Sequence, residues 1–168
     1  MAAANDGRKV IGAKVTPPAA WHAIVVLPNE PLATSKARAV LPDSYDRADV
    51  VANIQSAALL GLAFAQGRGD LLRTAMCDRI HQPYRARICA LLPLLLPLAG
   101  MHGILGAALS GAGPAVLVVV ESESHVKEAS AAIVAAVAGS SDPALPSPAL
   151  RICGFLAEGT TINGFPAA

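Results

Sequence analysis

Aromatic side chains are scarce in this sequence, at 4% of 168 residues, and charged side chains make up only 15%. A core poor in rings must be filled by small and medium aliphatic groups, which pack their elements closely. A formal net charge of +1 gives no basic surface for a nucleic acid and no acidic tail. The three cysteines, Cys77, Cys89 and Cys153, are odd in number and have no CxxC spacing. They predict free, buried thiols in a reducing, cytoplasmic setting rather than a disulfide framework or a zinc site. The opening MAAANDGRKV has no apolar stretch of the signal-peptide kind. No Gly-Lys-Ser/Thr follows any glycine cluster, so a Walker A loop is excluded.

What the chain has instead is aliphatic bulk, 54% hydrophobic residues. Between Ile88 and Leu109 the only strongly polar side chain is His102, as in a membrane span. Pro93, Pro97, Gly100, Gly103 and Gly106 interrupt that run repeatedly, and it is read as a buried helix followed by a buried strand. No membrane partner is expected.

Periodicity and turn signals place the remaining elements. Lys9 to Val15 and Trp21 to Leu27 predict strands around Pro17-Pro18, the second a central one. Thr34 is expected to cap a short helix, TSKARAVL. Asp46 to Gln66 predicts the longest helix, with Val51, Ile54, Ala58, Leu62 and Ala65 recurring at helical spacing and Gly67 stopping it. Asp70 is expected to cap LLRTAMCDR, and Pro83 to open another helix. Ile104 to Leu109 and Ala115 to Val120 predict a hairpin around SGAGP. Ser124 to Ala138 predicts a helix, and Ile152 to Ala157 a last strand after the loop Gly139 to Pro148. The resulting fold class is α+β, a ferredoxin-like antiparallel sheet with helices packed on one face.

Three short motifs carry polar chemistry. In SGAGP, Ser110, Gly111 and Gly113 allow a sharp turn whose N–H groups can face an anion, although most such turns merely join strands. In TSKAR, Thr34 and Arg38 share a helix face, so a hydroxyl and a guanidinium fork could hold a carboxylate or phosphate. On spacing alone an N-cap threonine beside a surface arginine is the stronger reading. In DRIHQPYR, Arg85 falls in the first turn of the helix expected at Pro83, where a cation opposes the helix dipole. An anion facing Arg85 would explain that placement. His81 is read as a structural neighbour rather than a catalytic base.

Taken in order, LPNEPLATSKARAVLP, DVVANIQSAALLGLAFAQGRGDLL, DRIHQPYR and LGAALSGAGPAVLVV resemble the bacterial homoserine kinases, of the GHMP small-molecule kinase superfamily. The likeness is colinear from about Val10 to Gly159. It implies transfer of the γ-phosphoryl group of ATP, with Mg²⁺, to the hydroxyl of L-homoserine. It also implies that Arg38 and Arg85 bind the substrate carboxylate, that Thr34 lies nearby, and that Ser110, Gly111 and Gly113 close over the junction with the phosphate-binding loop. No metal ligand and no catalytic base are implied among these residues.

The family's N-terminal half, with its phosphate loop of the form PxxxGLGSSAA, has no counterpart here. Residues 1–168 are therefore expected to form one GHMP C-terminal domain, inactive as a kinase by itself. The face that normally meets the N-terminal domain would then be open to self-association. A non-catalytic amino-acid-binding or partner module derived from such a kinase is the alternative.

Overall fold

The computed structural model describes residues 2–5, 10–140, 145, 147–156, 161–162 and 165–166. Its frame is a four-stranded antiparallel sheet built from β3 (His22–Leu27), β4 (Ile104–Leu109), β5 (Val116–Val120) and β6 (Ala149–Gly154). The strands lie in the order β4-β5-β3-β6. The β-branched run Ile24-Val25-Val26 suits a strand flanked on both sides. β3 indeed pairs with β5 (Ile24 opposite Val118) and with β6 (Ile24 opposite Ile152). Helices connect β3 to β4 and β5 to β6, which gives the βαββαβ order of the ferredoxin-like fold.

Alternation along the strands creates two apolar faces. Ile24, Val26, Val116, Val118 and Val120 join Leu91, Leu92, Leu95, Ala129, Ile133 and Val137 in the larger core. The last six belong to α5 (Leu91–Leu95) and α6 (Glu123–Ala138), the helical layer the sequence predicts. Burying each large aliphatic side chain there contributes roughly 1.5–3 kcal/mol. Val119 points the opposite way and joins Trp21, Ala63, Leu72 and Met76 in a smaller cluster. That cluster rests under α2 (Arg47–Gln66) and α3 (Leu72–Ala75) at one end of the sheet.

Several boundaries differ from expectation for identifiable reasons. The first predicted strand appears as β2 (Val10–Ala13), paired with β1 (Ala2–Asn5) in a ribbon separate from the main sheet. Its start at Lys9, like Ala157 and residues 141–144 and 146 of the predicted loop, lies outside the described residues. LLRTAMCDR forms only the short α3, entered through a 3-10 turn at Gly69–Leu71. Asp70 does not cap it, because both carboxylate oxygens are bonded to Arg68, at 2.8 and 2.6 Å. The leucine-rich run keeps Pro93 inside α5 and gives way around Pro97 to a 3-10 turn at Leu96–Leu98.

Among the described residues α2, not the leucine-rich run, is long and apolar enough to cross a membrane by length and composition. Of the three free cysteines only Cys89 is buried; Cys77 and Cys153 are exposed, contrary to the expectation for all three. Cys153 lies on the edge strand β6, most of which is open to solvent.

Candidate functional site: the turn between two arginines

Three segments distant in sequence meet beside the β4–β5 hairpin. The first is α1 (Thr34–Ala39), the second is α4 (Gln82–Arg85), and the third is the turn Ser110–Gly113.

α1 begins one residue earlier than a Thr34 cap requires. Ala33 occupies the N-cap position with extended backbone, so Thr34 is the first helical residue and makes no capping bond. Its hydroxyl and the Arg38 guanidinium lie one helical turn apart, and both residues are exposed. Arg38 has no side-chain partner among the described residues. Between them Ala37 is fully buried.

α4 starts at Gln82 with Pro83 as its second residue, and Arg85 is its last. The predicted conflict with the helix dipole therefore does not arise, because the helix is one turn long and Arg85 sits at its C-terminal end. The Arg85 side chain is 8% exposed and turns inward to two backbone oxygens. Its Nε donates to the Ala37 carbonyl at 3.1 Å and its Nη1 to the Gly111 carbonyl at 3.4 Å. One guanidinium thus ties α1 to the glycine turn. A guanidinium has five donors, and Nη2 has no partner among the described residues.

In the turn, Gly111 and Gly113 have φ of +63° and +88°, values that L side chains rarely adopt. The Ser110 N–H is held by the Ala115 carbonyl and the Gly113 N–H by the Ser110 carbonyl, at 2.9 and 3.2 Å. The N–H groups of Gly111 and Ala112 have no partner among the described residues, and the space before Gly111 is open. An anion approaching there meets two N–H dipoles.

Cys89 supports the turn from behind, close enough that a side chain at Gly113 would meet its Sγ at 2.9 Å. Burial pushes the Cys89 thiol up from its ordinary pKa, while the positive charge of Arg85 opposes that shift.

Sequence reasoning missed two supporting residues in its own motif. Gln82 is 5% exposed, donates from Nε2 to the Met76 carbonyl and accepts the Leu109 N–H at Oε1, 3.1 Å away. It fixes α4 against the strand that leads into the turn. Asp78 accepts the N–H groups of Ile80 and His81 and the His81 Nδ1, at 2.6, 2.8 and 3.1 Å. An aspartate two and three residues before such N–H groups, just ahead of a proline-containing helix, is a legible turn signature. His81 is engaged by Asp78 and so stands as a structural neighbour of the turn. Farther out, the Arg79 N–H is taken by Asn53 of α2 at 2.8 Å.

A cavity of about 230 Å³ opens between Asp78, His81, Gln82, Arg85, Leu109 and Gly111. The structure thus brings Arg85 and Gly111 together. It leaves Thr34 and Arg38 outside this cavity, on the exposed side of the helix whose Ala37 carbonyl Arg85 holds.

Residues 62–139 match the family described as GHMP kinases C terminal. The matched stretch runs from within α2 to the end of α6. Over 104 residues it is 54% identical to a homoserine kinase of Deinococcus radiodurans, a stretch covering 62% of this chain and 34% of that protein. It is 45% identical over 122 residues to a homoserine kinase of Solibacter usitatus, covering 72% of this chain and 40% of the relative. The chain therefore spans well under half the length of these curated relatives. The fold superimposes on the crystal structure of homoserine kinase from Cytophaga hutchinsonii with a TM-score of 0.74. That superposition covers 86% of this chain and 44% of the other, at 21% identity.

Proposed function

We propose that this GHMP domain is the substrate side of a cytoplasmic homoserine kinase, on the route to threonine. The observation that carries the reading is the 54% identity to a homoserine kinase over 104 residues, in a chain where the Arg85 side chain joins TSKAR to SGAGP. In this reading residues 1–168 act as one domain. Arg38 offers an unengaged guanidinium fork to the homoserine carboxylate. Arg85 adds its remaining N–H donors, and its two carbonyl bonds keep α1 and the turn at a fixed separation. Thr34 stands on the Arg38 side of α1. The Gly111 and Ala112 N–H groups, with Ser110 and Gly113 shaping the turn, face the approaching anions.

ATP bound with Mg²⁺ would supply the phosphoryl group, and the residues described here do not fit that group. Ligand pockets usually start at about 300 Å³, above the cavity beside the turn. We therefore assign the nucleotide-binding residues to the part of the relatives that this chain does not match. Positioning and electrostatics dominate phosphoryl transfer, so a substrate-side domain contributes by fixing the acceptor.

Two measurements on the full chain test this reading. With ATP, Mg²⁺ and L-homoserine, coupled ADP release should stay at background. Turnover near the usual kinase range of about 1–100 per second would overturn the assignment of the nucleotide site. In calorimetric titration L-homoserine should bind, and Arg38→Ala should weaken it about tenfold, the worth of one charged hydrogen-bonding contact. Equal affinity for both chains would remove Arg38 from the site.

A further inference from the structure

We propose that Gln82 is a positioning residue of the candidate site: by holding the end of β4 it sets where the N–H groups of the glycine turn point. This deepens the homoserine reading above and rests on it for the identity of the ligand alone. Its basis is a buried amide with both ends engaged. Gln82 is 5% exposed, donates from Nε2 to the Met76 carbonyl at 3.3 Å and accepts the Leu109 N–H at Oε1, at 3.1 Å. The amide can take only this orientation, because one neighbour is a carbonyl and the other an N–H.

β4 is an edge strand of the sheet, paired with β5 on one side. An edge presents main-chain groups that no neighbouring strand takes up. At the end of β4 and in the turn, α4 takes two such groups through side chains. Gln82 accepts the Leu109 N–H, and Arg85, three residues on in the same short helix, donates to the Gly111 carbonyl at 3.4 Å. The two bonds bracket Ser110, the point where the strand becomes the turn. Immediately beyond lie the Gly111 and Ala112 N–H groups that face an incoming anion.

Each bond constrains a different motion. Arg85 ties the turn to α1, because its Nε also holds the Ala37 carbonyl. Gln82 ties the strand end to Met76, the residue that closes α3. A single guanidinium contact leaves the turn able to pivot about it, and the Leu109 bond removes that freedom. Hydrogen bonds weaken steeply with misalignment, so a pivot of the turn reaches the anion it faces.

Substitution separates the two bonds of Gln82. Gln82→Glu keeps an oxygen for the Leu109 N–H and loses the donor to Met76, with the Arg85 guanidinium three residues on as counter-charge. Gln82→Met has nearly the same length and shape and keeps neither bond. Both variants should melt lower than the unaltered chain, by roughly 2–8 °C, since each leaves a buried main-chain group without its partner. If Gln82 were structural only, every other effect would follow that loss of stability. As a positioning residue it makes the turn follow the Leu109 bond, so Gln82→Glu should resemble the unaltered chain there and Gln82→Met should not.

Amide hydrogen exchange and L-homoserine titration, both followed by nuclear magnetic resonance on the full chain and the two variants, test this. Exchange is read without ligand at Leu109, relative to Val118 in the middle of the sheet, whose amide reports global opening. On that scale Leu109 should exchange at least about tenfold faster in Gln82→Met and within about threefold of the unaltered rate in Gln82→Glu. The Gly111 and Ala112 amide signals should move in Gln82→Met only. L-homoserine should bind about tenfold more weakly to Gln82→Met and within about twofold of the unaltered affinity to Gln82→Glu. Equal behaviour of the two variants at Leu109 and the turn overturns the proposal. So does homoserine binding by Gln82→Met as tight as that of the unaltered chain. Should Gln82→Met not fold, Gln82→Asn, one methylene too short to reach both partners, takes its place in every comparison. If the unaltered chain binds no homoserine, the kinase reading falls, and the exchange measured without ligand still decides the role of Gln82.

Discussion

Arg85→Leu should destabilise the domain by about 2–3 kcal/mol, because it leaves the Ala37 carbonyl without its side-chain donor and removes the tie to Gly111. For a chain of this size that corresponds to a melting temperature lower by roughly 5–10 °C. The leucine has comparable apolar bulk, so lost packing is not the main cause. Arg85→Lys keeps the charge yet cannot present two parallel donors from a planar fork, and it should recover less than half of the loss. Thermal unfolding followed by circular dichroism measures this. A fall below about 1 °C for Arg85→Leu would mean that neither bond bears on the fold. The same substitution frees the turn from α1, so homoserine affinity should fall even where Arg38 is intact.

The second large effect is expected at Gly113. Alanine there must hold φ near +88° and place its Cβ about 2.9 Å from Cys89 Sγ. The backbone conformation alone costs roughly 1–2 kcal/mol for an L residue, and the contact raises the total to about 2–4 kcal/mol. Cys89→Ala removes the sulfur and relieves the second component only. Chemical denaturation of the two single variants and the double variant should therefore show about 1 kcal/mol of coupling. Additive losses would show that the turn and Cys89 do not press on each other.

A thiol probe gives an independent reading of the same contact. In the unaltered domain Cys77 and Cys153 should label promptly, and Cys89, buried and with its thiolate disfavoured, should not. Cys89 should stay slow to label as the pH is raised, since burial pushes its thiol above its ordinary range. Gly113→Ala should make Cys89 reactive.

Local signals in the sequence were good guides where the cause of structure is local. Pro28, the glycine pair around Ala112 and Gly67 mark ends that the structure keeps, and the β-branched runs become β3 and β5. HQPYR was legible as a proline-opened helix, but Arg85, expected in its first turn and facing an anion, ends the helix and turns inward. The partner of that arginine was not legible, because the Ala37 and Gly111 oxygens are main-chain atoms brought there by the fold, and no residue type announces them.

Gln82 escaped notice for the same reason, since both of its partners are backbone groups. α2 shows the limit of periodicity. The spacing of Val51, Ile54, Ala58, Leu62 and Ala65 correctly predicts a helix, yet the structure turns this stripe to solvent and buries Ala63 instead. Periodicity identifies a face but carries no information on whether its cover lies in the same chain. Thr34 and Asp70 show how a cap is lost. One extra helical residue displaced the first, and a neighbouring arginine captured the second.

The account rests on the turn and the two arginines acting as the homoserine side of a kinase. Nuclear magnetic resonance of the full chain, isotopically labelled and titrated with L-homoserine into the millimolar range, tests that most directly. The result predicted is a set of saturable shifts at the Arg38 and Arg85 side-chain N–H groups and at the Gly111 and Ala112 amides, reduced by Arg38→Ala. Shifts elsewhere with these signals unmoved, or no shift at any amide, would contradict it.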